Sequence, residues 1–290
     1  MDLAAILEYL KAALLGVVEG VTEWLPISST GHMILLNEIL PLNVSEEFWN
    51  MFEVVIQLGA ILAVVIIFWK QIWPFRMKDK DSNEKGLVAF VKTDIMNLWG
   101  KILVACIPAA VVGLLFDEIL EKYLYNYVVV ALALIAFGVA FIVIENRNKT
   151  HKPKINTLDE LTYKTAIIIG MFQLLAAIFP GASRSGSTIV GALLIGVSRT
   201  VAAEFTFFLA IPVMAGASLL KLVRFGLNFS SYELIILVIG FTVAFFVSIV
   251  VIKFLLQFIK KHDFKVFGWY RIALGIAVLI YYAVNTFAKA

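Results

Sequence analysis

The sequence predicts an all-α polytopic membrane protein with six transmembrane helices and two re-entrant helix-loop-helix hairpins arranged as an inverted repeat. Three observations lead there. Of 290 residues, 61% are hydrophobic and 16% charged, with a mean hydropathy of +0.93, which excludes an ordinary soluble globule. Apolar stretches recur at the length that crosses about 30 Å of hydrocarbon. Two further apolar stretches are broken in the middle by proline and small polar residues.

The first of these, residues 3 to 36, carries Glu8 and Lys11 and has no basic region ahead of an apolar core, so it reads as mature protein and not as a targeting signal. Its break is Pro26-Ile27-Ser28-Ser29-Thr30-Gly31. Spans are expected near 51 to 69, near 99 to 116, where Pro108 predicts a kink, and near 127 to 144. A second broken stretch covers 165 to 197, with Pro180-Gly181-Ala182-Ser183-Arg184-Ser185-Gly186 at its centre. Spans near 201 to 220, 233 to 252 and 271 to 288 complete the chain. One integral membrane domain, 1 to 290, is expected, with halves of approximately 1 to 145 and 155 to 290.

Loop charge sets the orientation, because basic loops stay in the cytoplasm. Residues 70 to 101 hold seven Lys/Arg, 146 to 164 hold five and 253 to 271 hold five. Residues 37 to 50 hold three acids and no base, and 117 to 126 hold three acids and one Lys. The first group is therefore inside and the second outside. The broken stretches cannot cross the membrane without reversing this alternation, so each must enter and leave on one face. Their prolines and small residues leave backbone groups that lipid cannot satisfy, so the breaks must be buried in protein or wetted. The first hairpin dips from outside, the second from the cytoplasm.

The two broken stretches also resemble each other. At an offset of 154, Gly16 falls on Gly170, Glu19 on Gln173, Pro26 on Pro180 and Ser29 on Ser183. One hairpin and three crossings per half give halves of opposite orientation.

A net charge of +3, with no basic tract interleaved with aromatics, argues against a nucleic-acid partner. The lone cysteine, Cys106, excludes an internal disulfide and reads as a small buried hydrophobe.

Ionisable groups at membrane depth point to function. Glu19 and Glu23, four residues apart, share one helix face and together can hold a hard divalent cation. Ser28, Ser29 and Thr30 stand at the start of a helix, where hydroxyls cap and free amides receive an anion. His32 follows them and is the one histidine outside the basic loops. Arg184, among Ser183, Ser185, Ser187 and Thr188, offers a planar fork for phosphate oxygens. The alternative for Arg184 is a structural pair with Glu19 or Glu23, and both can hold in turn. Gly186 allows a backbone amide to approach the same anion. If the hairpins meet near the midplane, these parts suit phosphoryl transfer on a lipid phosphate.

The segments Glu19 to His32 and Pro180 to Thr188 resemble the two signature motifs of the bacterial undecaprenyl-diphosphate phosphatases, the bacitracin-resistance protein family. Phe52 to Val64, with Ile56-Gln57-Leu58-Gly59-Ala60, and Ala202-Ala203-Glu204-Phe205 resemble it too. Trp24 stands where Phe is expected, and the polar 76 to 97 loop has no family meaning. The resemblance implies hydrolysis of undecaprenyl diphosphate to undecaprenyl phosphate and phosphate. It also implies a bacterial inner-membrane enzyme open to the outer face, using Mg2+ or Ca2+, with Gln57 among the substrate contacts. Ser29 is then the expected nucleophile, with His32 removing its proton and later activating water. His32 as the nucleophile is the alternative. A homodimer is compatible with the sequence and not specified by it. One other class stays open, a transporter of polyprenyl phosphate, since inverted repeats with broken helices are also a transporter design; a membrane phosphatase that uses two histidines and an Arg ranks below it, because His151 and His262 lie in basic loops.

Overall fold

The computed structural model describes residues 3–76, 90–226 and 228–288, and most of the 76 to 97 loop, residues 77–89, lies outside them. The first half comprises α1 (Leu3–Thr22), α2 (Ser29–Ile39), α3 (Glu46–Val55), α4 (Gln57–Ile67), α5 (Trp69–Ile72), α6 (Thr93–Leu124) and α7 (Tyr127–Asn148). The second comprises α8 (Tyr163–Ile178), α9 (Arg184–Leu194), α10 (Arg199–Phe225), α11 (Ser231–Phe258) and α12 (Lys265–Ala288). The described residues are mostly helical, and side-chain caps start many helices, among them Ser45 on α3, Asn126 on α7, Thr162 on α8 and a Ser230–Glu233 capping box on α11.

Among the described residues, six segments are long and apolar enough to cross a membrane: Glu46–Ile67, Thr93–Phe116, Tyr127–Asn148, Arg199–Phe225, Ser231–Phe258 and Lys265–Thr286. The protein is a multi-pass membrane protein. Each predicted span falls on one of these segments, with two informative differences. The last begins at Lys265 and not near 271, because Arg271, read as a loop charge, is fully buried in α12. Lys101, also counted with the loops, is buried inside α6, its Nζ 3.5 Å from the Asp159 carbonyl. α6 runs through Pro108 as a single helix.

Both halves follow one order: a long helix, a break, an 11-residue helix, then three spanning segments. Packing follows the same exchange, since α1 lies along α11 while α8 lies along α6, their equivalents in the opposite halves. Close approach needs glycine in both places. A Cβ on Gly16 would lie 2.6 Å from the Gly240 carbonyl, and one on Gly170 would strike the Ala105 backbone. α7 and α12 pair with each other, and α10 packs on α3 and α4. The two breaks meet: the Ser185 hydroxyl beyond the second lies 3.0 Å from the Glu23 carbonyl ahead of the first.

Candidate active site

Each break is built around one serine. Pro26 and Pro180 end the helical run by withholding an amide. Ser28 and Ser183 then take φ 76° and φ 67°, the two positive values among described non-glycine residues. Each caps the short helix that follows: the Gly31 amide donates to Ser28 Oγ at 3.3 Å, and the Gly186 amide to Ser183 Oγ at 3.1 Å. This corrects the repeat register. Ser28, not Ser29, is the counterpart of Ser183, because the second break holds one more residue between proline and cap. Ser29 is thus the counterpart of Arg184, and each is the first residue of its helix.

Such a backbone costs about 1–3 kcal/mol for a residue with a Cβ. Ser183→Gly is therefore expected to be tolerated within about 1 kcal/mol, while Ser183→Ala loses the cap and keeps the strain, costing about 1–2 kcal/mol. Thermal unfolding in detergent would compare them, with Ser183→Gly melting higher.

The two first residues converge on one carboxylate. Ser29 Oγ donates to Glu23 Oε2 at 2.8 Å, and Arg184 Nη2 donates to Glu23 Oε1 at 2.8 Å. Arg184 Nη1 donates to the Thr206 carbonyl at 2.8 Å, and its guanidinium lies 6.0 Å from the Trp24 ring centroid. Of the two partners foreseen for Arg184, the structure pairs it with Glu23. Glu19 is buried, and neither of its carboxylate oxygens has a hydrogen-bond partner. Glu23, and Glu53 of α3, are near enough to interact with it electrostatically. An orphaned buried carboxylate beside a second one fits a divalent cation whose remaining ligands come from substrate oxygens and water. Among the described residues no group of three or more His, Cys, Asp or Glu is placed to hold a metal by itself.

His32 sits apart from Ser29's proton. Its Nδ1 donates to the Ser28 carbonyl at 2.7 Å, so Nε2, 2.7 Å from the Tyr270 hydroxyl, accepts from it. The hydrogen bond of Ser29 Oγ goes to Glu23.

Arg271 borders the site, and no local sequence pattern marks it. Fully buried, it donates from Nη1 to the Pro26 carbonyl at 3.2 Å and from Nη2 to the Gly181 and Ala182 carbonyls at 2.9 and 2.7 Å. One guanidinium thus ties both breaks together. Gly186, expected to offer its amide to an anion, gives that amide to Ser183 and makes room for this guanidinium: a Cβ there would stand 2.7 Å from Arg271 Nη1.

Other expected contacts serve the protein itself. Ser28 caps α2, Ser185 donates to the Glu23 carbonyl at 3.0 Å, and Thr188 bonds the Arg184 carbonyl and Thr206. All three are buried. Thr30 and Ser183 remain partly open, and Gln57 stands partly open at the start of α4. His151 and His262 are exposed loop residues on carbonyls of their own turns, away from this cluster.

A family model described as "Bacitracin resistance protein BacA" matches residues 12–277, which include both breaks and every residue of the cluster. The chain belongs to the BacA family. Among BacA relatives, the undecaprenyl-diphosphatase of Desulfitobacterium hafniense is 60% identical over 282 residues, covering 97% of this chain and 99% of the relative. The undecaprenyl-diphosphatase 1 of Clostridium acetobutylicum and an undecaprenyl-diphosphatase of Enterococcus faecalis are each 59% identical, over 96% of this chain and 98% of their own length.

Proposed function

We propose that this chain hydrolyses undecaprenyl diphosphate to undecaprenyl phosphate and inorganic phosphate, recycling the lipid carrier of cell-wall synthesis and thereby resisting bacitracin. The observation that carries the reading is the carboxylate of Glu23, which holds a serine hydroxyl on one oxygen and an arginine fork on the other. Substrate displaces Arg184 from Glu23, and its guanidinium then steadies the equatorial oxygens of the terminal phosphoryl group. Ser29 Oγ attacks that phosphorus as its proton passes to Glu23, and the bond to the departing undecaprenyl phosphate oxygen breaks. Water then cleaves the phosphoserine, with the proton-accepting Nε2 of His32 the base available to it. The amides of Arg184 and Ser185, the first two of α9, have no partner within the helix and supply further donors. Glu19 and Glu23 would hold Mg2+ or Ca2+, which supplies charge neutralisation to the diphosphate.

The chain's apolar belt and acidic loops support an inner-membrane location with the first hairpin re-entering from the outer face. Transport alone needs no hydroxyl held against a carboxylate, which favours hydrolysis.

Phosphate release by the purified protein from a polyprenyl diphosphate tests the reading. Activity is expected to vanish in EDTA, to return with Mg2+ or Ca2+, and to fall about 10³-fold or more in Arg184→Ala. No release under any divalent cation would overturn it.

A further inference from the structure

On the face opposite the acidic loops, the 149–156 loop, the α9–α10 connection and the end of α11 enclose a cavity of about 740 Å³ that the catalytic reading does not use. The loop is fixed in place: the Lys154 amide donates to the Gly196 carbonyl at 2.7 Å, and the Ser198 amide donates to the Ile155 carbonyl at 2.8 Å. The cavity is therefore a built feature.

Its charge is one-sided. The one acid in the lining, Glu145, is fully buried and satisfied by Arg199, at 2.6 Å from Nη2, and by the Phe264 amide at 3.0 Å. That leaves the side-chain charges of Arg147, Lys152 and Lys154 around the opening uncompensated by any acid of the lining, while Lys260 also interacts with Glu204 outside it. The first amides of the 27-residue helix α10 add positive potential from the floor. The inner wall is apolar, made by Leu194, Ile195 and Ile259, and Leu194 is 39% exposed. A cationic mouth over an apolar wall at the end of membrane-spanning helices suits one ligand chemistry: an anionic phosphate with a hydrocarbon tail.

We propose that this cavity binds the anionic phosphate headgroup of a lipid from the leaflet at the basic-loop face. The proposal is independent of the chemistry at Glu23. Two sources share the headgroup, an anionic glycerophospholipid and a polyprenyl monophosphate, and the experiment separates them.

Native mass spectrometry of the full-length protein in detergent, titrated with phosphatidylglycerol, phosphatidylcholine or a polyprenyl monophosphate, reads binding directly. The polyprenyl arm is run in Arg184→Ala protein so that the site at Glu23 does not contribute. At least one anionic lipid is expected to bind about tenfold or more tighter than phosphatidylcholine, and the one that does names the source. K152Q/K154Q/K260Q is expected to lose that preference by about tenfold or more. K70Q/K164Q/K253Q removes the same charge from exposed positions outside the cavity and is expected to keep it. Both variants are expected to melt as the parent does and to release phosphate at the parent rate. Equal binding of all three lipids, retention of the preference in the cavity variant, or equal loss in the control variant would overturn the proposal.

Discussion

Ser29→Ala is expected to lower phosphate release from a polyprenyl diphosphate by on the order of 10³-fold or more, since it removes the attacking atom. Glu23→Gln is expected to cost about 10²–10⁴-fold, the range of a positioned general base. Gln is the informative replacement because its carbonyl oxygen still accepts one hydrogen bond, so the loss reports the missing negative charge and not a collapsed site. Removing the whole side chain would strand the largely buried partner Arg184, whose Nε already lacks a bond. The two residues act as one unit in this geometry, joined at 2.8 Å. The double variant S29A/E23Q should therefore be no slower than the slower single variant, because a base without a nucleophile has nothing left to activate. Single-turnover assays at saturating substrate would measure this. Multiplicative losses would separate Glu23 from Ser29, and a near-normal rate for Glu23→Gln beside a dead His32→Gln would return the proton to the imidazole.

Periodicity and charge reach far in this chain because lipid leaves few alternatives. A helix of about 20 apolar residues must cross, and a break with proline and serines must be covered. Those two constraints locate all six spans and both breaks from residue types alone. They fail at Arg271 and Lys101 for one reason: loop counting assigns each cation to the nearest interface, whereas both are buried inside helices. Burial of Arg271 depends on α12 pairing with α7 and on three carbonyls from two distant breaks. No local pattern encodes that convergence.

The site was legible in its chemistry and less so in its wiring. Glu19, Glu23, Ser29, His32 and Arg184 stand out as polar groups in apolar surroundings, and the structure places Ser29, Glu23 and Arg184 in contact. Which residue matches Ser183 across the repeat was not readable, because a single extra residue in the second break shifts the repeat register by one. The signal that could have found it is the glycine three residues after each cap, Gly31 and Gly186, which align at 155 and not at 154. Glu53 and Tyr270 had no signal, since each lies near a span end where charged and aromatic residues are ordinary.

The largest stability effect is expected at Arg271. Its guanidinium is the only group drawn to carbonyls of both breaks among the described contacts: Pro26 on one side, Gly181 and Ala182 on the other. Arg271→Met keeps the apolar stem beside the Phe137 ring, 5.7 Å from the guanidinium, and removes every donor. Each buried carbonyl left unsatisfied costs about 1–3 kcal/mol, so a loss of about 3 kcal/mol or more is expected. At about 2–4 °C per kcal/mol for a chain of this size, the melting temperature in detergent should fall by roughly 6–12 °C. Arg271→Lys retains a charge but presents a single ammonium, which cannot serve carbonyls on two separate loops as the planar fork does. An intermediate melting temperature is expected for it. Activity should separate from stability. Ser29 and Arg184 sit on opposite breaks, so when the tie is lost their alignment drifts, and a misplacement of about 1 Å costs about 10²-fold. Both variants should therefore lose kcat at temperatures where they remain folded, with KM changed less. A Met variant that melts within about 2 °C of the parent and keeps its kcat would reduce Arg271 to packing.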